Sequence, residues 1–323
     1  MFEIRMVCLF CALAGAASAA SELPKVIARY PLGGSGGWDY LAVDAATARV
    51  FLSRGDHVLV VDANSGRRVG EIADTPGVHS IVLVAELRRG YTSNGRANTV
   101  TEFDLGSLRP LRTIALGGRT PDAMIHDPHS RHLFAFNARS HDVSVIDPVA
   151  GRELTRIALD GKPEFAVSDG RGAVFVNIEN TAELVRIDSE HNRVTARWRL
   201  ADCAEPTDLA LDAERRRLFS VCQNQRMAVT DADDGHAVAS VRIGRGPDGA
   251  IYDAARHLVF SANGIDGTLS VIRQDSADAY RVLAEIPTQR SARTMALDPT
   301  THRIYLAAAG ADGFDLLVVG AEP

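Results

Sequence analysis

From residue 40 onward, apolar and polar positions alternate in short runs, and the runs recur in a fixed order. "YLAVDAATARVFLSR" (40–54) shows the unit: an apolar run closed by Asp, a polar turn, then a run led by a bulky apolar residue. The same order returns in "IVLVAELRRGYTSN" (81–94), with Val84 in place of the Asp, and in "AMIHDPHSRHLFAFN" (123–137) and "FAVSDGRGAVFVNI" (165–178). It returns again in "LALDAERRRLFSVC" (209–222), "AIYDAARHLVFSAN" (250–263) and "MALDPTTHRIYLAA" (295–308). Alternation of period two predicts strands, and helical periodicity is missing from this whole stretch. A third run closing on Asp follows, as in "HVLVVD" (57–62) and "DVSVID" (142–147), then a turn such as "ANSG" or "PVAG". There the Asp carboxylate can accept backbone N–H groups two residues on, while Gly or Asn takes the left-handed position. A fourth run, such as "RELTRIALD" (152–160), completes the unit.

The Asp residues at 127, 169, 212, 253 and 298 set a period of roughly 40–45 residues, the signature of propeller blades. Seven copies begin near residues 38, 78, 121, 163, 206, 247 and 292, and the last stops after a third strand, "FDLLVVGAEP". The missing fourth strand is at the other end, because "LPKVIARYPLGG" (23–34) has the same pattern as "RELTRIALDG". The predicted fold is an all-β, seven-bladed propeller with four-stranded blades. Residues 20–323 form the single domain, and the N-terminal strand pairs in the last blade, which removes the exposed sheet edges.

The second strands "YTSN" (91–94), "FAFN" (134–137) and "FSAN" (260–263) resemble the Tyr-Val-Thr-Asn tetrapeptide of the YVTN β-propeller repeat family. "FVNI" (175–178), "FSVC" (219–222), "FLSR" (51–54) and "YLAA" (305–308) are degenerate copies, so the resemblance runs along the whole domain. It implies a bacterial secreted, periplasmic or surface-layer propeller. Similar architectures serve lactonases and quinoprotein dehydrogenase subunits, and a shared fold leaves the activity open.

The first residues, "MFEIRMVCLFCALAGAASAA", change the setting. A charged start, an apolar run from Met6 to Ala17 and an Ala17-Ser18-Ala19 cleavage pattern predict a signal peptide over residues 1–19. The run is too short to span a bilayer, and no lipobox precedes Cys8 or Cys11. The expectation is a periplasmic or secreted monomer without a membrane anchor. Export also recasts Cys203 and Cys222, the remaining cysteines, as a candidate disulfide. They stand at the loop entering blade five and at the end of its second strand, where an antiparallel pair can bring them together. A redox or metal role is weaker, since two sulfurs without a His pair make no closed zinc site. A net charge of -6, without a Lys/Arg cluster interleaved with aromatics, argues against a dedicated nucleic-acid surface.

In a propeller the innermost strands line a central channel. Counting back five positions from each repeat Asp places Asp39, His79, Asp122, Glu164, Thr207, Asp248 and Arg293 at its mouth. Trp38, beside Asp39, is placed to flank a ligand there. The plain reading is solvated strand ends holding water. The functional reading is an unidentified protein, a small polar ligand or a divalent cation, with Asp122, Glu164 and Asp248 as ligands. Calcium suits those carboxylates better than zinc, since only one His is present. The ends of the second strands, Arg54, Asn94, Asn137, Asn177 and Asn263, with Gln223 and Asn224, form a candidate polar rim, although Asn also serves tight turns. "GGSGG" (33–37) and "GRGPDG" (244–249) match a nucleophile elbow and a dinucleotide fingerprint, but no helix follows either. Two functions emerge. One is a non-catalytic binding scaffold. The other is a cation-dependent, lactonase-like hydrolase or an accessory to a quinoprotein or transport system.

Overall fold

The structure is a computed structural model, and it describes residues 23–34, 36–310 and 313–321. The predicted export signal, residues 1–19, lies outside the described residues. Seven four-stranded antiparallel sheets follow one another along the chain, and in six of them strand order equals chain order. Blade one, for example, runs Leu41–Asp44, Arg49–Arg54, His57–Asp62 and Arg68–Ile72. The seventh sheet combines Met295–Leu297, Ile304–Gly310 and Gly313–Gly320 with the N-terminal strand Lys25–Pro31. Lys25 pairs with Gly320 and Pro31 with Asp315, so the ring closes as the sequence predicts.

The repeated sequence pattern has a packing cause. Phe51, Tyr91, Phe134, Phe175, Phe219, Phe260 and Tyr305 occupy equivalent places on the second strands, and none is more than 2% exposed. Each is enclosed between its own blade and a neighbour. Burying such a ring stabilises the fold by about 2–3 kcal/mol. The outer fourth strands have one covered face only, and Arg68–Ile72 or Pro110–Ala115 are largely exposed.

The repeat Asp residues close the turns away from the mouth. Asp127 Oδ2 accepts the Ser130 N–H at 2.8 Å, and Asp298 Oδ1 accepts that of Thr300 at 2.8 Å. These first turns put non-glycine residues in the left-handed region, including Arg131 (φ 61°), Arg216 (φ 57°) and His302 (φ 57°). Each costs roughly 1 kcal/mol. The Asp hydrogen bonds offset that cost. Cys203 and Cys222 are joined, with Cα atoms 5.4 Å apart, tying the loop before blade five to the end of its second strand.

Candidate functional site

The innermost strands converge on one end of the channel, and their first residues meet there. Asp39 lies just before the Leu41–Asp44 strand, where its N–H donates to Ser53 Oγ at 2.8 Å. Its carboxylate takes a hydrogen bond from His79 Nδ1 of blade two at 2.7 Å, and the same nitrogen faces Asp122 Oδ1 of blade three at 3.6 Å. Gly95 is required above this imidazole, since a Cβ there would come within 2.8 Å of His79 Nε2. Arg293 ties the other side of the mouth. Its guanidinium lies 5.5 Å from the Trp38 ring centroid, 3.2 Å from Asp248 Oδ2, and donates to the Trp38 carbonyl at 3.2 Å. Lys162 Nζ stands 3.3 Å from Glu164 Oε2 while hydrogen-bonded to Glu179, which leaves Glu164 Oε2 buried without a hydrogen bond.

Of the seven mouth positions, Thr207 is the exception. It is buried, and its hydroxyl donates to the Pro247 carbonyl at 2.9 Å. The next residue, Asp208, is the acidic group here. It is also buried, and accepts the N–H groups of Leu209 at 2.7 Å and Ala250 at 2.9 Å. Asp208 and Lys162 were not anticipated from the sequence, and neither was Tyr40. The Tyr40 and Phe165 rings, from blades one and four, meet across the channel beneath the mouth with centroids 5.1 Å apart. Below them lies a largely apolar tunnel of about 470 Å³, lined in part by Ile81, Met124, Leu209, Ile251 and Leu297.

Enclosure reshapes the titration of this acidic set. Burial pushes Asp122 up to about 6 against the pull of His79, and Asp248 up to about 7 against that of Arg293. Burial with the nearby Asp122 charge pushes Glu164 up to about 8. Asp208 is raised well above the carboxylate range by burial, despite its two backbone donors. Burial opposes charge on His79, but the Asp39 hydrogen bond and the neighbouring carboxylates outweigh it, so the imidazole pKa is raised.

Asp122, Glu164 and Asp248, expected as a cation-binding set, are not gathered within ligand distance of one another among the described residues. Lys162 and Arg293 engage the latter two instead. The group that does converge is Asp39, His79 and Asp122, with one donor atom of each within 4.8 Å of the others. Two carboxylates and one imidazole suit a divalent cation. A cation on Nδ1 would have to displace the proton shared with Asp39. A second cluster, Asp231, Asp234 and His236, lies in an exposed turn on the opposite face, and turn hydrogen bonds account for it.

The rim residues take a different place from the one their position along the strands suggested. Asn94, Asn137, Asn177 and Asn263 are fully buried, and Arg54 nearly so. Asn137 Nδ2 donates to Asp142 Oδ1 at 2.8 Å and Ser144 Oγ at 2.9 Å, and Asn263 makes the equivalent bonds to Thr268 and Ser270. Asn94 does the same with Thr99 and Thr101, while Asn177 bridges to the carbonyls of Thr207 and Asp208. The Arg54 guanidinium stacks 3.9 Å from the Phe314 ring centroid. Strand alternation directs these side chains into the blades, where Asn94, Asn137 and Asn263 staple second strand to third while Asn177 and Arg54 reach across to blades five and seven. Gln223 and Asn224 bond the Pro247 and Asp202 carbonyls.

One sector of the mouth face is lined by basic groups. A cavity of about 720 Å³ opens over blades seven, one, two and three, and Trp38, Asp39, His79 and Arg293 line it. Arg96, Arg119 and Arg139 complete its wall. Arg96 and Arg139 each stand two residues beyond a motif Asn, in the turns after "YTSN" and "FAFN". That shared Asn-x-Arg register is the signal by which the sequence could have shown them.

No family model matches the chain, and no curated protein matches it. Solved structures do. The chain is similar to one from Kuenenia stuttgartiensis hydrazine synthase, with TM-score 0.75 and 14% identity over 87% of this chain and 95% of that one. It is similar to the RRP9 WD40 repeats, with TM-score 0.80 and 10% identity over 93% and 99% of the two chains. A chain of a mitotic checkpoint complex matches with TM-score 0.79 and 15% identity over the full length of both. At these identities the likeness is one of fold: a seven-bladed propeller.

Proposed function

We propose that this chain is an exported binding scaffold of the YVTN-repeat type, without catalysis, that holds its ligand or partner at the channel mouth. One observation carries the reading. Loops of several blades bring four arginines onto one cavity, and among the described residues Arg96, Arg119 and Arg139 have no carboxylate within ion-pair distance. Charge displayed without an internal partner on a concave face is available for recognition. Similar propellers from a mitotic checkpoint complex and from WD40 repeats agree with an interaction role. Among the described residues, no helix is long and apolar enough to cross a membrane.

The test is site-specific photocrosslinking in the native cell, with a benzophenone side chain at Ala97 in the mouth-side turn or at Ala150 on the opposite face. Adducts from position 97 and not 150 support the reading; adducts from 150 alone overturn it. The convergence of Asp39, His79 and Asp122 favours a second reading, a cation-dependent hydrolase. In that case Asp122→Ala abolishes both metal uptake and turnover of a lactone or ester panel. Metal-free protein by elemental analysis after controlled dialysis removes that reading.

A further inference from the structure

We propose that the mouth cavity is a receptor site for a small organic polyanion, bound through carboxylate or phosphate groups by Arg96, Arg119 and Arg139, with Trp38 and Arg293 as its opposite wall. This rests on the mouth being the binding face. The cavity wall has one carboxylate, Asp39, against four guanidiniums. That carboxylate is already held by His79 at 2.7 Å, and Arg293 is anchored by Asp248 at 3.2 Å. The other three guanidiniums line the same cavity and make no ion pair among the described residues, the Arg96 charge reaching only the exposed Asp56 beside it, on a chain whose net charge is -6. Like charges gathered this way repel, and an oxyanion relieves that repulsion while taking bidentate hydrogen bonds from the guanidinium forks.

The basic character belongs to this sector and not to the repeat. Strand pairing puts Arg96 and Arg139 in register with Asp56 of blade one, Asn180 of blade four, Asn224 of blade five and Ile265 of blade six. The side chain at this turn position therefore changes from blade to blade, while the motif residues before it serve packing. Arg119 joins them from the loop leading into blade three. A volume of about 720 Å³ suits a small molecule, since such sites span roughly 300–1,000 Å³. The wall is also well fixed. Trp38 packs on Phe314 at 5.4 Å between centroids and lies under the Arg293 guanidinium, leaving a rigid aromatic edge to the site.

Isothermal titration at low salt, with citrate and inorganic phosphate as probes and glucose as the uncharged control, tests the proposal. Wild type is compared with Arg96→Gln/Arg139→Gln and with Arg109→Gln/Arg152→Gln, which removes two exposed arginines from the opposite face. All four side chains are exposed, so circular dichroism and thermal melting of the variants should match wild type. The expected result is saturable binding of at least one anion, weakened roughly tenfold or more by the mouth pair and unchanged by the control pair. Tighter citrate than phosphate identifies carboxylates; the reverse identifies phosphate. Equal affinities in both variants overturn the site, and so does binding of polyglutamate without binding of either small anion. If position 97 still crosslinks a partner when the anions fail, the mouth reading stands and the small-anion ligand is refuted. If neither result appears, both fall.

Discussion

Replacing Glu164 with glutamine removes an ionisable group whose surroundings favour the neutral form. Only 16% of its side chain is exposed, Oε2 has no hydrogen-bond partner, and the nearest ammonium, Lys162, is committed to Glu179. Burial, reinforced by the Asp122 charge, raises the carboxyl from its ordinary 4.5 to about 8. The sign follows from linkage. A raised pKa in the folded state contributes stability that is complete below pH 4.5 and is lost as pH climbs through 8. Glutamine copies the neutral carboxyl and cannot ionise. The full shift corresponds to at most about 5 kcal/mol. Residual solvent and the Lys162 contact reduce the net gain to about 2–3 kcal/mol. Urea unfolding of both proteins at pH 4.5, 6, 7.5 and 9 measures it. The two stabilities should agree within about 1 kcal/mol at pH 4.5, with the variant pulling ahead between pH 5 and 8 and holding its lead at pH 9. Asp122 and Asp248 titrate with the same sign, and because they interact with Glu164 the difference between the two curves reports the whole coupled set. Curves that stay parallel from pH 4.5 to 9 would show that Glu164 carries no raised pKa in the folded protein.

Three further outcomes follow from particular contacts. Cys203→Ala with Cys222→Ala opens a bridge between residues 19 apart and should cost about 2–4 kcal/mol, read as a lower urea midpoint. Asn137→Ala removes the buried amide that bonds Asp142 and Ser144, Asp142 keeping Ser140 and Arg156, and should cost about 1–3 kcal/mol, while citrate and phosphate titrations stay as in wild type. An effect on those titrations would return Asn137 to the ligand rim. Gly95→Ala places a methyl 2.8 Å from His79 Nε2, which must tilt the ring away from Asp39. The His79 pKa, followed by NMR, should then fall toward 6.5, and an unchanged titration contradicts the proposed coupling.

The sequence shows the fold clearly because packing repeats. The aromatic of every second strand and the Asp of most first turns recur where each blade needs the same buried ring and the same turn closure. The mouth was less legible, for two reasons. First, Thr207 occupies the counted position of its blade and the buried acid stands one residue on, where blades one and four carry Tyr40 and Phe165, so the repeat spacing passes over Asp208. Second, Arg96, Arg119 and Arg139 lie in turns and a connecting loop, where no packing period applies. The candidate rim failed from the opposite cause. Asn94, Asn137 and Asn263 recur because each staples its blade, so their regularity marks structure and not a surface.

Arg96, Arg119 and Arg139 are proposed to hold the ligand at the mouth, and one measurement looks for it there. Anomalous diffraction from crystals soaked in selenate, a heavy oxyanion, locates the site without knowledge of the natural ligand. An anomalous peak should appear inside the mouth cavity, within hydrogen-bond distance of at least two of Arg96, Arg119 and Arg139. Peaks confined to other surfaces, with the cavity open to solvent and free of selenium, would mean that these arginines hold no anion.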